Sequence, residues 1–249
     1  MTHEKIEADS DVIVYNPLFS YLPDAKWFTS CFWQKKGAIS GKSKGRAITW
    51  FFRFKEHEFV LRHYYRGGLI GKFNKDLYIG MDEERSRAVK EFAMLKEMSN
   101  IGLPVPKPLA ARIEKKWFCI YRADLIIERI ANAKDLFQYL SKYPLNKSMW
   151  LKIGRTIADF HNNGVYHDDL NIHNIMLDKE HKCWLIDFDK GEIKKPSHSW
   201  QQENLKRLLR SFEKEKRQNV DLRWHLKDWD FLLQGYNEVI NTPKKQAAH

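Results

Sequence analysis

The sequence predicts an α+β protein, a β-rich first half carrying one main helix followed by a mainly helical second half. Three observations point to this. The stretches AITWFFRF (47–54) and EFVLRHYY (58–65) are dense in β-branched and aromatic residues and are separated only by KEH, as in a hairpin. From Glu83 to Ser99 the pattern changes: Ala88, Phe92, Leu95 and Met98 follow the 3.6-residue spacing of one helix face. After residue 130 helical patterns dominate. Two lobes are expected, residues 1–127 and 128–249, joined near 128–131.

Taken in order, residues 37–64 read as strand, glycine-bearing turn, strand and strand, with Gly41 and Gly45 between the first two. The helix after them is stopped by NIGLPVPKP, which holds one glycine and three prolines. WFCIYR and ADLIIERI read as two further strands, and AKDLFQYL as a short helix. SMWLKIGRTIADFHNNG is a longer helix, with Ile153, Ile157 and Phe160 on one face and Gly164 as its cap. NIMLD and CWLIDFD read as short strands around a turn at 179–182, and Trp200 to Ile240 reads as helix. There is no internal repeat and no low-complexity linker.

At 249 residues the chain can bury a sizeable core, and 43% hydrophobic with 14% aromatic residues make it a folded protein. No apolar run approaches the roughly 20 residues that span a bilayer. The polar opening MTHEKIEADSD is not expected to be a secretory signal. Cys31, Cys119 and Cys183 are scattered, with neither a disulfide framework nor zinc spacing. A reducing compartment is expected, with the thiols in or near the core. The net charge of +11 is uneven: residues 31–75 hold eleven Lys/Arg against two Asp/Glu, and 190–249 hold thirteen against eight. Solubility could explain the total. The cluster at 31–75 asks for an anionic partner, whether nucleic acid, nucleotide phosphate or acidic membrane.

Two phosphate or metal motifs fail on spacing. Gly41-Lys42-Ser43 suggests a P-loop, but counting back puts Lys36 where the first glycine belongs, and a strand follows where the P-loop opens a helix. Asp169, Asn171, His173 and Glu180 suggest a calcium loop, yet Asn174 stands at the position that needs glycine. His167 and His173 have no cysteines nearby and no HExxH helix, which argues against zinc.

HDDLNIHN (167–174) fits another register. Phosphoryl transfer from ATP needs a carboxylate to orient the acceptor hydroxyl, hard oxygens for Mg²⁺, and cations and amides on the phosphates. The kinase motifs are H-x-D-L-x-x-x-N and D-F-G. His167, Asp169, Leu170 and Asn174 match the first and Asp187-Phe188 the second, thirteen residues after Asn174, the separation protein kinases use. Asp169 is therefore the candidate base, and Asn174 and Asp187 are the candidate Mg²⁺ ligands. His167 braces the loop, while Asp168 and His173 fall on variable positions. In the first half, Gly41 and Gly45 would lie in the hairpin over the phosphates. Arg62 stands where V-A-I-K has its lysine, unless it is a surface strand residue. Glu91 is the helix glutamate to hold it, with Glu84 as rival, and Glu128 to Ile130 would be the hinge whose backbone bonds adenine.

On GRAITWFF, FVLRHYYRGGLIGK, EFAMLKEMSNIGLPVPKPLAAR and HDDLNIHNIMLD with LIDFDKG, spanning roughly 40–191, the chain resembles the lipopolysaccharide-core kinases of protein-kinase-like fold, and most closely the Kdo (3-deoxy-D-manno-octulosonic acid) kinases. LRHYYRGG is the most specific piece. The GLPVPKP turn is shared with small-molecule kinases such as aminoglycoside phosphotransferases. The resemblance implies ATP- and Mg²⁺-dependent phosphorylation of a Kdo hydroxyl, at the 4-position, on a Kdo–lipid A precursor. It also implies peripheral attachment to the cytoplasmic side of the bacterial inner membrane, with no nucleic acid and no obligate protein partner. A kinase for a heptose or an aminoglycoside is the alternative, and a non-catalytic binding module a more distant one.

Asp189 replaces the glycine of D-F-G, giving a stiffer turn; Asp168 replaces the arginine that reads a phosphorylated activation loop; no A-P-E follows. These argue against a regulated protein kinase. In NLKRLLRSFEKEKR, Leu205, Leu208, Leu209 and Phe212 form one apolar face, suited either to a membrane interface or to the core. The stretch 62–75, with Tyr64, Tyr65, Arg66, Lys72, Phe73 and Lys75, is the expected substrate or membrane contact.

Overall fold

The β-rich half is one antiparallel sheet of eight strands. The computed structural model describes residues 4–8, 11–20, 22–44, 48–64, 78–79, 86–117 and 120–240. The strands are β1 (Glu4–Ala8), β2 (Asp11–Tyr15), β3 (Ile39–Lys44), β4 (Ile48–Phe54), β5 (His57–His63), β6 (Tyr78–Ile79), β7 (Pro108–Trp117) and β8 (Ile120–Glu128). They lie in the order β1-β2-β7-β8-β5-β4-β3, with β6 on β8. The chain divides into two units, Met1–Ile101 with Pro106–Ala131, and Gly102–Val105 with Asn132–His249.

Residues 1–36 carry no element in the sequence reading. In the structure they supply two strands and, through a 3-10 turn (Ala25–Phe28) and helix α1 (Ser30–Lys35), an aromatic cover for one sheet face. Trp33 stacks on Phe52 at 4.0 Å and donates its indole N–H to Trp27 O at 2.8 Å. The other face receives α2 (Arg87–Asn100), capped by Ser86 Oγ on Val89 N–H (3.2 Å), with Phe92, Leu95 and Met98 buried. Full burial of such a side chain contributes about 1.5–3 kcal/mol.

Two expectations need correction. Gly41 lies inside β3 opposite Phe51, at a bulge, and not in the turn after that strand; Gly45 is outside the described residues. PLAARIEKKW is strand β7, and IYR runs on into ADLIIE as the single strand β8. Ala110 and Ala111 are both fully buried. With both faces of the strand covered, alternation disappears from its sequence.

The second unit holds β9 (Lys134–Asp135), α3 (Leu136–Leu140), α4 (Lys147–Asn162), β10 (Val165–Tyr166), a 3-10 turn (Ile172–Asn174), β11 (Ile175–Leu177), β12 (Cys183–Leu185), β13 (Glu192–Ile193), α5 (His198–Gln218) and α6 (Leu226–Val239). Asn146 caps α4 through Met149 N–H at 3.0 Å. Gly164 at φ +74° ends it, a backbone state glycine adopts without penalty. α4 and α6 meet backbone to backbone: a Cβ on Gly154 would lie 2.0 Å from Leu232 O, and one on Gly235 2.1 Å from Leu151 O. The apolar stripe of α5 packs inward, with Leu205, Leu208 and Phe212 buried and Phe212 stacked on Trp224 at 5.3 Å, so its core reading holds. Among the described residues no helix is long and apolar enough to cross a membrane. Cys183 is buried, and burial pushes its thiol up to about 12; Cys31 is exposed, contrary to expectation, because it sits on the outer side of α1. Cys119 lies outside the described residues.

Candidate active site

β10 delivers the chain into the polar loop 167–174, which its own side chains hold in shape. His167 is buried. Its Nδ1 accepts the Asp169 N–H at 3.2 Å, so the ring proton sits on Nε2, which donates to Ile186 O at 2.9 Å. Burial pushes this imidazole below its ordinary value, favouring the neutral ring this pattern requires. The His167 N–H donates to Asn204 Oδ1 at 3.2 Å, and the Ile172 N–H to Ser211 Oγ at 2.9 Å. The Asp169 carbonyl accepts from Asn171 Nδ2 (3.0 Å) and Asn174 Nδ2 (2.9 Å), while the Asp169 side chain is exposed. With its amide nitrogen engaged, Asn174 keeps Oδ1 as its ligand-donor atom.

The ribbon of β11 and β12 aligns Ile175 with Leu185, and one rung further the Ile186 N–H donates to Asn174 O at 3.1 Å. Asp187 is therefore one residue beyond a direct backbone link to Asn174. Its φ is +64°, a state costing an L-residue about 1–2 kcal/mol and typical of functional positions. Phe188 anchors the turn, buried 4.7 Å from the His167 ring and stacked on Phe160 at 5.8 Å. The Gly191 N–H closes it on Phe188 O at 2.7 Å. The positive φ falls on Asp187 and Lys190, not on Asp189, so an L-residue fits where D-F-G has glycine.

Within the first unit the structure brings Arg62 and Glu91 together. Arg62 Nη1 donates to Glu91 Oε1 at 2.9 Å, and Glu91 is buried. Tyr64, expected as a substrate or membrane contact, is instead buried: its hydroxyl donates to Glu91 Oε2, and its ring lies 5.6 Å from the guanidinium carbons of both Arg62 and Arg87. The sequence reading missed the opposite sheet face, where Asp124 accepts from Arg112 Nη2 at 2.7 Å and lies 2.6 Å from His63 Nδ1. Strand alternation puts Arg62 and His63 on different faces. At the expected hinge, Glu128 N–H donates to Lys107 O and Arg129 N–H to Glu58 O, so neither of these two amides is open to a base. Glu84 and residues 65–75 of the expected contact stretch lie outside the described residues.

The donor set of Asn174 Oδ1 and the Asp187 carboxylate suits a hard cation such as Mg²⁺, which commonly takes one or two protein oxygens and completes its shell with phosphates and water. Among the described residues no group of three or more His, Cys, Asp or Glu side chains could hold a metal.

A family model, that of the lipopolysaccharide kinase (Kdo/WaaP) family, matches residues 30–236. The chain is 46% identical over 217 residues to a 3-deoxy-D-manno-octulosonic acid kinase of Mannheimia succiniciproducens, covering 84% of this chain and 89% of that protein. It is 41% identical over 242 residues to the protein of the same description from Haemophilus influenzae, covering 94% and 99%. In fold it is similar to WaaP, solved in complex with acyl carrier protein, with a TM-score of 0.55 at 14% identity over 82% of this chain and 80% of that one.

Proposed function

The chain belongs to the lipopolysaccharide kinase (Kdo/WaaP) family, and from that premise we propose that it transfers the γ-phosphoryl group of ATP to a hydroxyl of Kdo on a Kdo–lipid A precursor. The carrying observation is the loop and ribbon in which Asp169, Asn174 and Asp187 are fixed in register by the Ile186–Asn174 backbone bond. Asp169 orients the acceptor hydroxyl and accepts its proton. Asn174 and Asp187 would hold Mg²⁺, which would neutralise charge on the phosphates. Arg62, braced by Glu91, takes the α/β-phosphates; a guanidinium can do so with two hydrogen bonds where lysine offers a point charge. The 4-hydroxyl is the acceptor position by family resemblance. The basic excess of residues 31–75 supports peripheral contact with the anionic cytoplasmic face of the inner membrane.

The test follows radiolabel from ATP and Mg²⁺ into Kdo–lipid A precursor, with free heptose and aminoglycoside acceptors competing in the same reaction. Label is expected in the lipid, with Asp169→Ala and Asp187→Ala each reducing transfer by at least about 10²-fold. Label in a soluble sugar instead, or undiminished transfer by both variants, would overturn the proposal.

A further inference from the structure

Beyond Asp169, the segment after Asp187 offers residues to the acceptor. Only residues 188–197 separate Asp187 from α5. They turn at Gly191 and form β13, which pairs antiparallel with β10, Glu192 opposite Tyr166 and Ile193 opposite Val165. The segment thus returns to the entrance of the catalytic loop, since Tyr166 precedes Asp169 by three residues.

At the end of this ribbon Lys194 is fixed from both sides. Its N–H donates to Gly164 O at 2.9 Å, and a Cβ on Gly164 would stand only 2.1 Å from Lys194 O. Its ammonium lies 3.5 Å from the centroid of the Tyr166 ring and 5.7 Å from that of Trp200. Those two rings meet edge to face at 5.9 Å, and Trp200 Nε1 donates to Lys195 O at 3.0 Å. A surface lysine ordinarily samples many rotamers; this one is seated on an aromatic corner. Its partner Glu192, at 3.7 Å and 66% exposed, is a weak competitor. An ammonium has three donors, and the ring face engages only one side of it.

We propose that Lys194, seated on Tyr166, binds the carboxylate of the acceptor sugar and so selects an acidic sugar over a neutral one. This rests on the kinase function proposed above. Tyr166 and Asp169 Cα atoms lie within about 11 Å, the extended reach of three residues. An ulosonic acid carries its carboxylate on the ring that bears its hydroxyls, so a hydroxyl at Asp169 puts the carboxylate about one ring away, a span compatible with the reach from Asp169 to Tyr166. Lipid A phosphates share the anionic chemistry and are the competing source.

The test is steady-state kinetics of the full chain with Lys194→Met, which keeps the stem, and Lys194→Arg, which keeps the charge. The acceptors are the native precursor, one with its carboxyl reduced to an alcohol, and one without lipid phosphates. Loss of a charged hydrogen bond should raise the acceptor KM of Lys194→Met about 10- to 100-fold, with KM for ATP unchanged and most of the loss restored by arginine. The reduced acceptor should raise the wild-type KM similarly and erase the difference between wild type and Lys194→Met. The phosphate-free acceptor should keep that difference. An unchanged acceptor KM in Lys194→Met, or additive losses from charge and carboxyl removal, would overturn the proposal. So would disappearance of the Lys194 effect with the phosphate-free acceptor, which would assign the lysine to lipid phosphate. Failure of the wild type to phosphorylate any Kdo acceptor would overturn the function as well.

Discussion

Glu91 is held through both carboxylate oxygens, one by Arg62 and the other by the Tyr64 hydroxyl, so α2 is tied to β5 without any nucleotide. Tyr64→Phe removes a donor from a buried carboxylate, costing about 1–3 kcal/mol. The expected result is a lower melting temperature and a raised KM for ATP, with the acceptor KM unchanged; an unchanged ATP KM would show that Arg62 needs no such brace. The contrast with Arg62 and Glu91 shows what was legible in the sequence. The pairing of those two could be expected because phosphoryl transfer calls for a cation on one strand and a carboxylate on the next helix, and the register of Asp169, Asn174 and Asp187 because their spacing is fixed by one loop and one ribbon. Tyr64 was read as an outward contact, and its buried role was hidden for a physical reason: a tyrosine at a strand end already satisfies β-propensity, and its partner is 27 residues away. Lys194 was likewise one cation among several until β13 laid it against Tyr166.

Among the elements, α4, α5 and α6 were legible as amphipathic helices, but the contacts between them were not. Gly154 breaks no pattern in the sequence of α4, and only the Leu232 carbonyl beside it explains why it has no side chain. β7 was lost behind its charged residues and paired alanines. His161 shows how such a junction responds to acid. It lies on α4 with Nδ1 2.8 Å from the Tyr236 hydroxyl of α6 and its ring edge-on to Trp200 of α5. Burial lowers it from 6.5 to about 4. Between those values the unfolded chain takes up a proton that the folded unit refuses, so stability is full above pH 6.5 and is lost as pH falls toward 4. The loss amounts to about 3 kcal/mol at 1.36 kcal/mol per pH unit, and the lowered His167 adds in the same direction. Thermal melts at pH 7 and pH 4.5 should show this fall, and His161→Gln should reduce it. Equal acid sensitivity in the variant would remove His161 from the account.

For the whole molecule, the two-part α+β organisation was legible because hydrophobic period changes along the chain from two to 3.6, and the structure has a large antiparallel sheet followed by helices. What composition could not show is where the basic excess sits. In the described part of residues 31–75, Lys36, Lys42 and Lys55 lie over Phe32, Trp50 and Phe54 at 4.8, 5.7 and 5.9 Å. The proposed membrane contact makes a measurable demand: vesicles containing anionic lipid should retain the protein at low salt and release it as the Debye length falls from about 10 Å at 0.1 M toward 3 Å at 1 M, while neutral vesicles should not retain it. Equal retention on both would count against a charge-driven contact. The division of the chain carries a last consequence. Residues 102–105 belong to the second unit although strands β7 and β8 of the first follow them, and Pro104 O accepts from Leu185 N–H at 3.1 Å. As the chain leaves the ribosome, Pro104 therefore emerges roughly eighty residues before its partner. The β-rich half can close its sheet while this short arm still waits, so the order of synthesis makes the second unit the later one to complete.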